Sequence, residues 1–179
     1  MIEKPCRFDS LQAVIAILFM NICQPAFAQE VSQAMELTPL ASWSGQRSHI
    51  EEVGYFRVTS PQDCDELWHR HAGKDAEVPV VDFADCMVVA IFEGRDVNHG
   101  GVVIVSMTEN DHQLTLRFDT SPYQTVVPIG SNKGVQQVAP YGIFVVRRSS
   151  KALVVEQDAR HHMTSDTPVW KERIRFERL

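Results

Sequence analysis

Residues Gly94-Arg95-Asp96-Val97-Asn98-His99-Gly100-Gly101 gather the side chains in this chain best suited to recognition. Arg95 and Asp96 bring opposite charges, Asn98 and His99 bring hydrogen-bonding groups, and the paired glycines permit positive φ or the close approach of another backbone. On a polar connection between strands such groups are placed for binding. The competing reading is a tight strand connection whose glycines serve geometry alone. A phosphate cradle is excluded, because no helix start and no Lys followed by Ser or Thr accompanies the glycines.

Other chemistry has less support. His69 and His71 lie two apart on a helical pattern, so they project to different sides and cannot share an ion. His161 and His162 are adjacent, near Asp158 and Asp166, but a zinc site needs three or four converging ligands, so no metal or other cofactor is expected. No nucleophile elbow or reactive-cysteine signature occurs. Asp63 and Asp65 read as the dipole-favoured first turn of a helix. Arg147, Arg148 and Lys151 read as a solvated hairpin tip, with an anion site as the alternative. Cys64 and Cys86 can be paired in an oxidising compartment, closing a loop of about 23 residues worth roughly 3 kcal/mol. The alternative is two buried free thiols.

The elements that must position these residues begin after an expected secretory signal. Lys4 and Arg7 precede an apolar run from Leu11 to Met20 broken only by Gln12, and Ala26-Phe27-Ala28 offers a cleavage site before Gln29. The run is about half the roughly 20 residues of a membrane span, so cleavage is expected after Ala28, leaving a soluble periplasmic or extracellular protein with no stable membrane insertion. A core helix or an N-terminal anchor is the alternative. The formal charge of −6 disfavours nucleic acid and anionic membrane surfaces.

Residues 29–42 show no hydrophobic period and are expected to form a flexible or loosely docked arm. Strand character begins within Ile50–Thr59. Ser60, Pro61 and Asp63 then start a helix whose one face carries Cys64, Leu67, Trp68 and His71, with Gly73 to stop it. Cys86 to Phe92 is continuously apolar, the pattern of a central strand covered on both faces. Val102–Met107 and Leu114–Phe118 flank the turn residues Asn110-Asp111 and predict a hairpin. A short strand over Tyr123–Val127 and a glycine-rich loop at Gly130–Gly134 follow. Ile143–Val146 is expected to turn back through Arg148-Ser149-Ser150 into Leu153–Val155. Residues 158–179 read as a tail without clear preference. The fold class is α+β and β-rich: a single twisted antiparallel sheet of about six or seven strands with one short helix packed on it.

Several motifs recur together in one order: Trp43-Ser44-Gly45, Glu66-Leu67-Trp68, Val81-Asp82-Phe83, Met87-Val88-Val89-Ala90-Ile91-Phe92-Glu93-Gly94, Gly100-Gly101 and Pro140-Tyr141. In this combination, spanning Trp43 to Val146, the chain resembles the PrcB C-terminal domain family. It departs at Val102, where that family tends to an aromatic residue. The resemblance implies an exported β-rich domain over residues 43–157, acting as an accessory subunit that stabilises a cell-surface protease complex. It also adds Pro140 and Tyr141 to Gly94–Gly101 as partner-contacting residues. The expected function is therefore a non-enzymatic binding module for an exported protein, such as a protease. A secreted protease inhibitor presenting Gly94–Gly101 is the second reading, and an enzyme assembled from scattered His and Asp residues the third.

Overall fold

A computed structural model of the chain describes residues 34–122, 136–159 and 167–179. The expected signal segment, residues 29–33 of the expected arm, the strand at 123–127, the loop at 130–134 and the His161-His162 pair with Asp166 lie outside the described residues. The strands are β1 (Met35–Leu37), β2 (Ala41–Gly45), β3 (Val53–Val58), β4 (Cys86–Glu93), β5 (Asp96–Val97), β6 (His99–Glu109), β7 (Gln113–Pro122), β8 (Gln137–Val138), β9 (Tyr141–Arg147), β10 (Ala152–Asp158) and β11 (Trp170–Phe176). The helix α1 (Pro61–Ala72) follows β3.

These strands make two main sheets where one was expected: a five-stranded sheet in the order β1-β6-β7-β10-β11 and a four-stranded sheet in the order β2-β9-β4-β3. A two-stranded ribbon, β5-β8, lies apart from both. The reason is in the burial. Successive side chains of a strand point to opposite faces. Met87, Val89 and Ile91 of β4, with Phe144 and Val146 of β9, share one core with Leu114, Leu116, Phe118, Leu153 and Val155 of the five-stranded sheet. The alternate residues Val88, Ala90, Phe92, Ile143 and Val145 share a second core with Cys64 and Leu67 of α1. An uninterrupted apolar strand needs cover on both faces, and stacking a second sheet on one and a helix on the other provides it.

α1 forms as its sequence predicts. Ser60 is extended (φ −134°, ψ 152°) and its hydroxyl accepts the Asp63 amide at 3.2 Å, Pro61 begins the helix, and Gly73 at φ 103° ends it. The β6–β7 hairpin also forms, with the Asn110 side-chain oxygen accepting the amides of His112 and Gln113 at 2.9 Å each.

Further expectations are corrected. Most of residues 34–42 is not a flexible arm, since β1 pairs with β6 and β2 pairs with β9. The tail carries β11, antiparallel to β10, its Ile174 and Phe176 packed on the sheet–sheet core. β9 and β10 do not form a hairpin: the chain crosses from one sheet to the other, and β10 runs parallel to β7. The crossover is stapled, although Arg147, Arg148 and Ser150 remain exposed. Arg148 donates to the carbonyls of Phe83 (2.6 Å) and Thr59 (3.3 Å), Lys151 donates to the Asn110 carbonyl (2.7 Å), and Arg57 donates to the carbonyls of Ser149, Lys151 and Glu177. Of the two readings left open for Cys64 and Cys86, the structure has the free thiols. Cys64 turns from α1 toward Val78 and Phe83, whereas Cys86 sits at the start of β4 beside Leu40 and Arg147.

Candidate functional site

The residues from Gly94 to Gly101 are more structured than a loop. Gly94 takes φ 77°, and a Cβ there would stand 3.1 Å from the Val53 amide nitrogen, so glycine lets the chain leave β4 against the start of β3. The Arg95 amide donates to the Glu51 carbonyl at 2.9 Å, and its guanidinium pairs with the Glu51 carboxylate. Asp96 and Val97 form β5 against Val138 and Gln137. Asn98, at φ 58°, exchanges hydrogen bonds with the Gln136 backbone, its amide to the carbonyl and its side-chain oxygen from the amide, both at 3.1 Å. His99 and Gly100 already belong to β6. Gly101 has φ 126°, and a Cβ would lie 2.7 Å from the Ser44 hydroxyl and 3.0 Å from the Gly45 amide nitrogen. That glycine serves the close approach of β2 and β6, where the Ser44 hydroxyl donates to the Val102 carbonyl at 2.6 Å.

Pro140 and Tyr141, far away in sequence, come to the same rim. The Pro140 carbonyl accepts the Glu93 amide at 3.0 Å, and Tyr141 stands opposite Phe92 in the ladder. The Ala139 amide donates to the Gln46 carbonyl at 2.8 Å. Between these segments lies a groove of about 450 Å³, bordered by Gln46, Arg47 and Ser48 on one side and by Arg95 and Gln136–Ala139 on the other. Seven of its nine lining residues are of polar or charged type, and both Arg95 and Glu51 are exposed to solvent.

Beneath the groove is a layer of rings between α1 and the four-stranded sheet. The His71 ring centroid lies 4.1 Å from that of Tyr141 and 5.7 Å from those of Phe92 and Trp68, and Trp68 meets Trp43 edge-on at 5.3 Å. Burial, and secondarily the nearby His49, lower the His71 pKa to about 4, so the imidazole is neutral at physiological pH. Its Nδ1 is 2.9 Å from the Ser48 hydroxyl, which also accepts the Ile50 amide. This serine–histidine contact has no carboxylate bonded to the other ring nitrogen among the described residues. It ties the groove wall to the helix.

A second polar cluster joins the two sheets at the same end. The Glu93 carboxylate accepts from Gln157 Nε2 at 2.8 Å and from the Tyr55 hydroxyl at 3.3 Å, and Arg173 Nε donates to the Gln157 side-chain oxygen at 2.7 Å. Burial raises the Glu93 pKa, against the pull of the Gln157 and Tyr55 hydrogen bonds and of the Arg173 and His99 charges. Burial, with the adjacent Glu93 carboxylate, pushes Tyr55 up to about 12. His99 faces Asp96 at 3.4 Å. Glu93 and Ser48 were not singled out by the sequence; the available signal was a carboxylate ending an otherwise apolar strand just before Gly94. Among the described residues no three His, Cys, Asp or Glu side chains gather to hold a metal ion, and no helix is long and apolar enough to cross a membrane.

The architecture is thus a two-sheet β scaffold, backed by one helix, with a polar groove at one rim. No family model, curated protein or solved structure matches the chain.

Proposed function

We propose that this chain is an exported, non-enzymatic accessory module that holds a protein partner at the rim groove, in keeping with its sequence resemblance to the PrcB C-terminal domain family. The observation that carries the reading is the convergence of residues 93–101 and 136–141 into one rim, fixed by backbone hydrogen bonds to Glu51, Gln46 and each other. A recognition surface held this way loses little conformational entropy on binding. Arg47 and Arg95 beside Glu51 give the groove paired charges for the polar edge of a partner. The inhibitor reading asks the Gly94–Gly101 backbone to enter a protease cleft, but that backbone is already bonded to Glu51, Gln136 and the β8 strand.

The test is cross-linked recovery of the C-terminally tagged chain from its native envelope, with partners identified by mass spectrometry. One exported protein or complex should be recovered, and Arg95→Glu should reduce it at least about tenfold while leaving folding within about 1 kcal/mol, since an exposed ion pair contributes little to stability. Recovery that is unspecific, or unchanged by Arg95→Glu, overturns the proposal.

A further inference from the structure

A different place on the molecule carries an independent inference. Between α1 and β4 the chain passes through Glu77-Val78-Pro79-Val80-Val81, and residues 77–82 contain no turn or bend. Proline fixes its own φ and keeps the residue before it extended, so Val78-Pro79 sets this straight course. Among the described residues, no hydrogen bond reaches the backbone of residues 77–81. Both ends of the open stretch are fixed. Val78, Val81 and Phe83 pack on the helix-side core. The Ala76 amide donates to the Gly73 carbonyl at 3.2 Å, the Cys86 amide to the Asp82 carbonyl at 2.8 Å, and Arg148 to the Phe83 carbonyl at 2.6 Å. Between these anchors Val80 is as exposed as in an isolated extended peptide, at 102%.

We infer that residues 77–81 form a protease-binding segment, with Val80 as the side chain that enters the specificity pocket of a serine endopeptidase selective for small aliphatic residues. Two observations select that partner. An endopeptidase cleft pairs with the main chain of its substrate and reads one side chain in a pocket, so it needs an extended backbone with free donors and acceptors. Gly94–Gly101 fails that requirement because its backbone is bonded within the chain, whereas residues 77–81 meet it. The second observation is that Val80 projects alone. A pleated strand would carry Val78 and Val80 to one face, but here Val78 and Val81 turn to the core and only Val80 stands out. A sheet edge reads alternate side chains together and would find no second one to read. A short β-branched side chain fits a small apolar pocket of the elastase kind.

The anchors make the segment an inhibitor in preference to a substrate. Water added across the Val80–Val81 bond leaves a carboxylate on Val80 and an ammonium on Val81. Val78 on one side, and Val81 with Phe83 on the other, hold the two ends together, so the amide re-forms and releases that water before the ends part. A segment fixed in this way also loses little conformational entropy on binding. The inference does not rest on the rim groove, which lies among other residues.

The experiment follows hydrolysis of chromogenic peptides by pancreatic elastase and by trypsin in the presence of the full chain. Elastase should be inhibited at near-equimolar amounts and trypsin left active, with the chain recovered largely intact by mass spectrometry. Val80→Gly should weaken the inhibition at least about 100-fold, and Val80→Arg should transfer it to trypsin, whose pocket carries a carboxylate. The Val80 side chain is fully exposed, so both variants fold as the parent does. Elastase left active by the parent, inhibition indifferent to Val80→Gly, Val80→Arg without effect on trypsin, or rapid cleavage after Val80 in place of inhibition overturns the inference.

Discussion

The two faces of β4 are buried by different materials. Toward the five-stranded sheet, Met87, Val89 and Ile91 meet leucines, valines and Phe118, nearly all of them fully enclosed. Toward α1, Val88, Ala90 and Phe92 meet a thiol, one leucine and a set of rings that includes a neutral histidine. The first face is a sealed apolar contact between two sheets. The second face is thinner, partly polar and continuous with the rim groove through His71 and Ser48. The sealed core and the side that borders the proposed recognition groove thus lie on opposite faces of one strand.

The largest effect that could break this comparison is a cavity in the sheet–sheet core. Phe118→Ala removes a fully buried ring and should cost about 3–5 kcal/mol in a urea unfolding series. Leu67→Ala on the helix side should cost less, about 2 kcal/mol, because its half-buried neighbours can settle into the space. Equal costs would mean that the two faces contribute alike.

Acidification tests the polar side. His71 has a folded pKa near 4 against 6.5 for a free imidazole, so the folded state binds fewer protons between those values. Its contribution is present in full above pH 6.5 and is lost as the pH falls through about 4. The full shift is worth at most roughly 3 kcal/mol, and His71→Phe should flatten the stability profile across that window. A profile unchanged by the substitution would show that the imidazole is not the group responsible.

The smallest effect belongs to Glu93, which sits where the sheet–sheet contact opens to the rim. Its folded pKa is raised by burial, so its favourable contribution is present below the ordinary carboxyl value of 4.5 and is lost as the pH rises through the folded value. Glu93→Gln should raise the thermal midpoint slightly at neutral pH and leave it unchanged in acid. A fall at neutral pH would show that the hydrogen bonds from Gln157 and Tyr55 outweigh the burial of charge.

Much of this was legible locally. The run from Cys86 to Phe92 required cover on both faces, and Ser60, Pro61 and Gly73 marked α1 because caps act within a few residues. The division into two sheets was not legible, because it depends on β10 choosing β7 as a parallel neighbour across a crossover whose Arg148-Ser149-Ser150 has the composition of an ordinary turn. β1 and β2 are too short for a hydrophobic period, and β11, with the sequence Trp-Lys-Glu-Arg-Ile-Arg-Phe, is an edge strand whose charges mask the half-buried Ile174 and Phe176. At the rim, Gly94–Gly101 stood out by composition. Gln46, Ser48, Glu51 and Gln136 did not, since polar residues on connections carry no period and meet only when the strands pair.

The proposed partner site is the rim groove and not the outer face of the five-stranded sheet. Site-specific photo-cross-linking in the native envelope tests it most directly, with a benzophenone side chain at Arg47 in the groove or at the exposed Glu172 on β11, which pairs with the outward Glu156. One exported protein should be joined through position 47 and none through position 172. No adduct from position 47, or the same adducts from both positions, would contradict it.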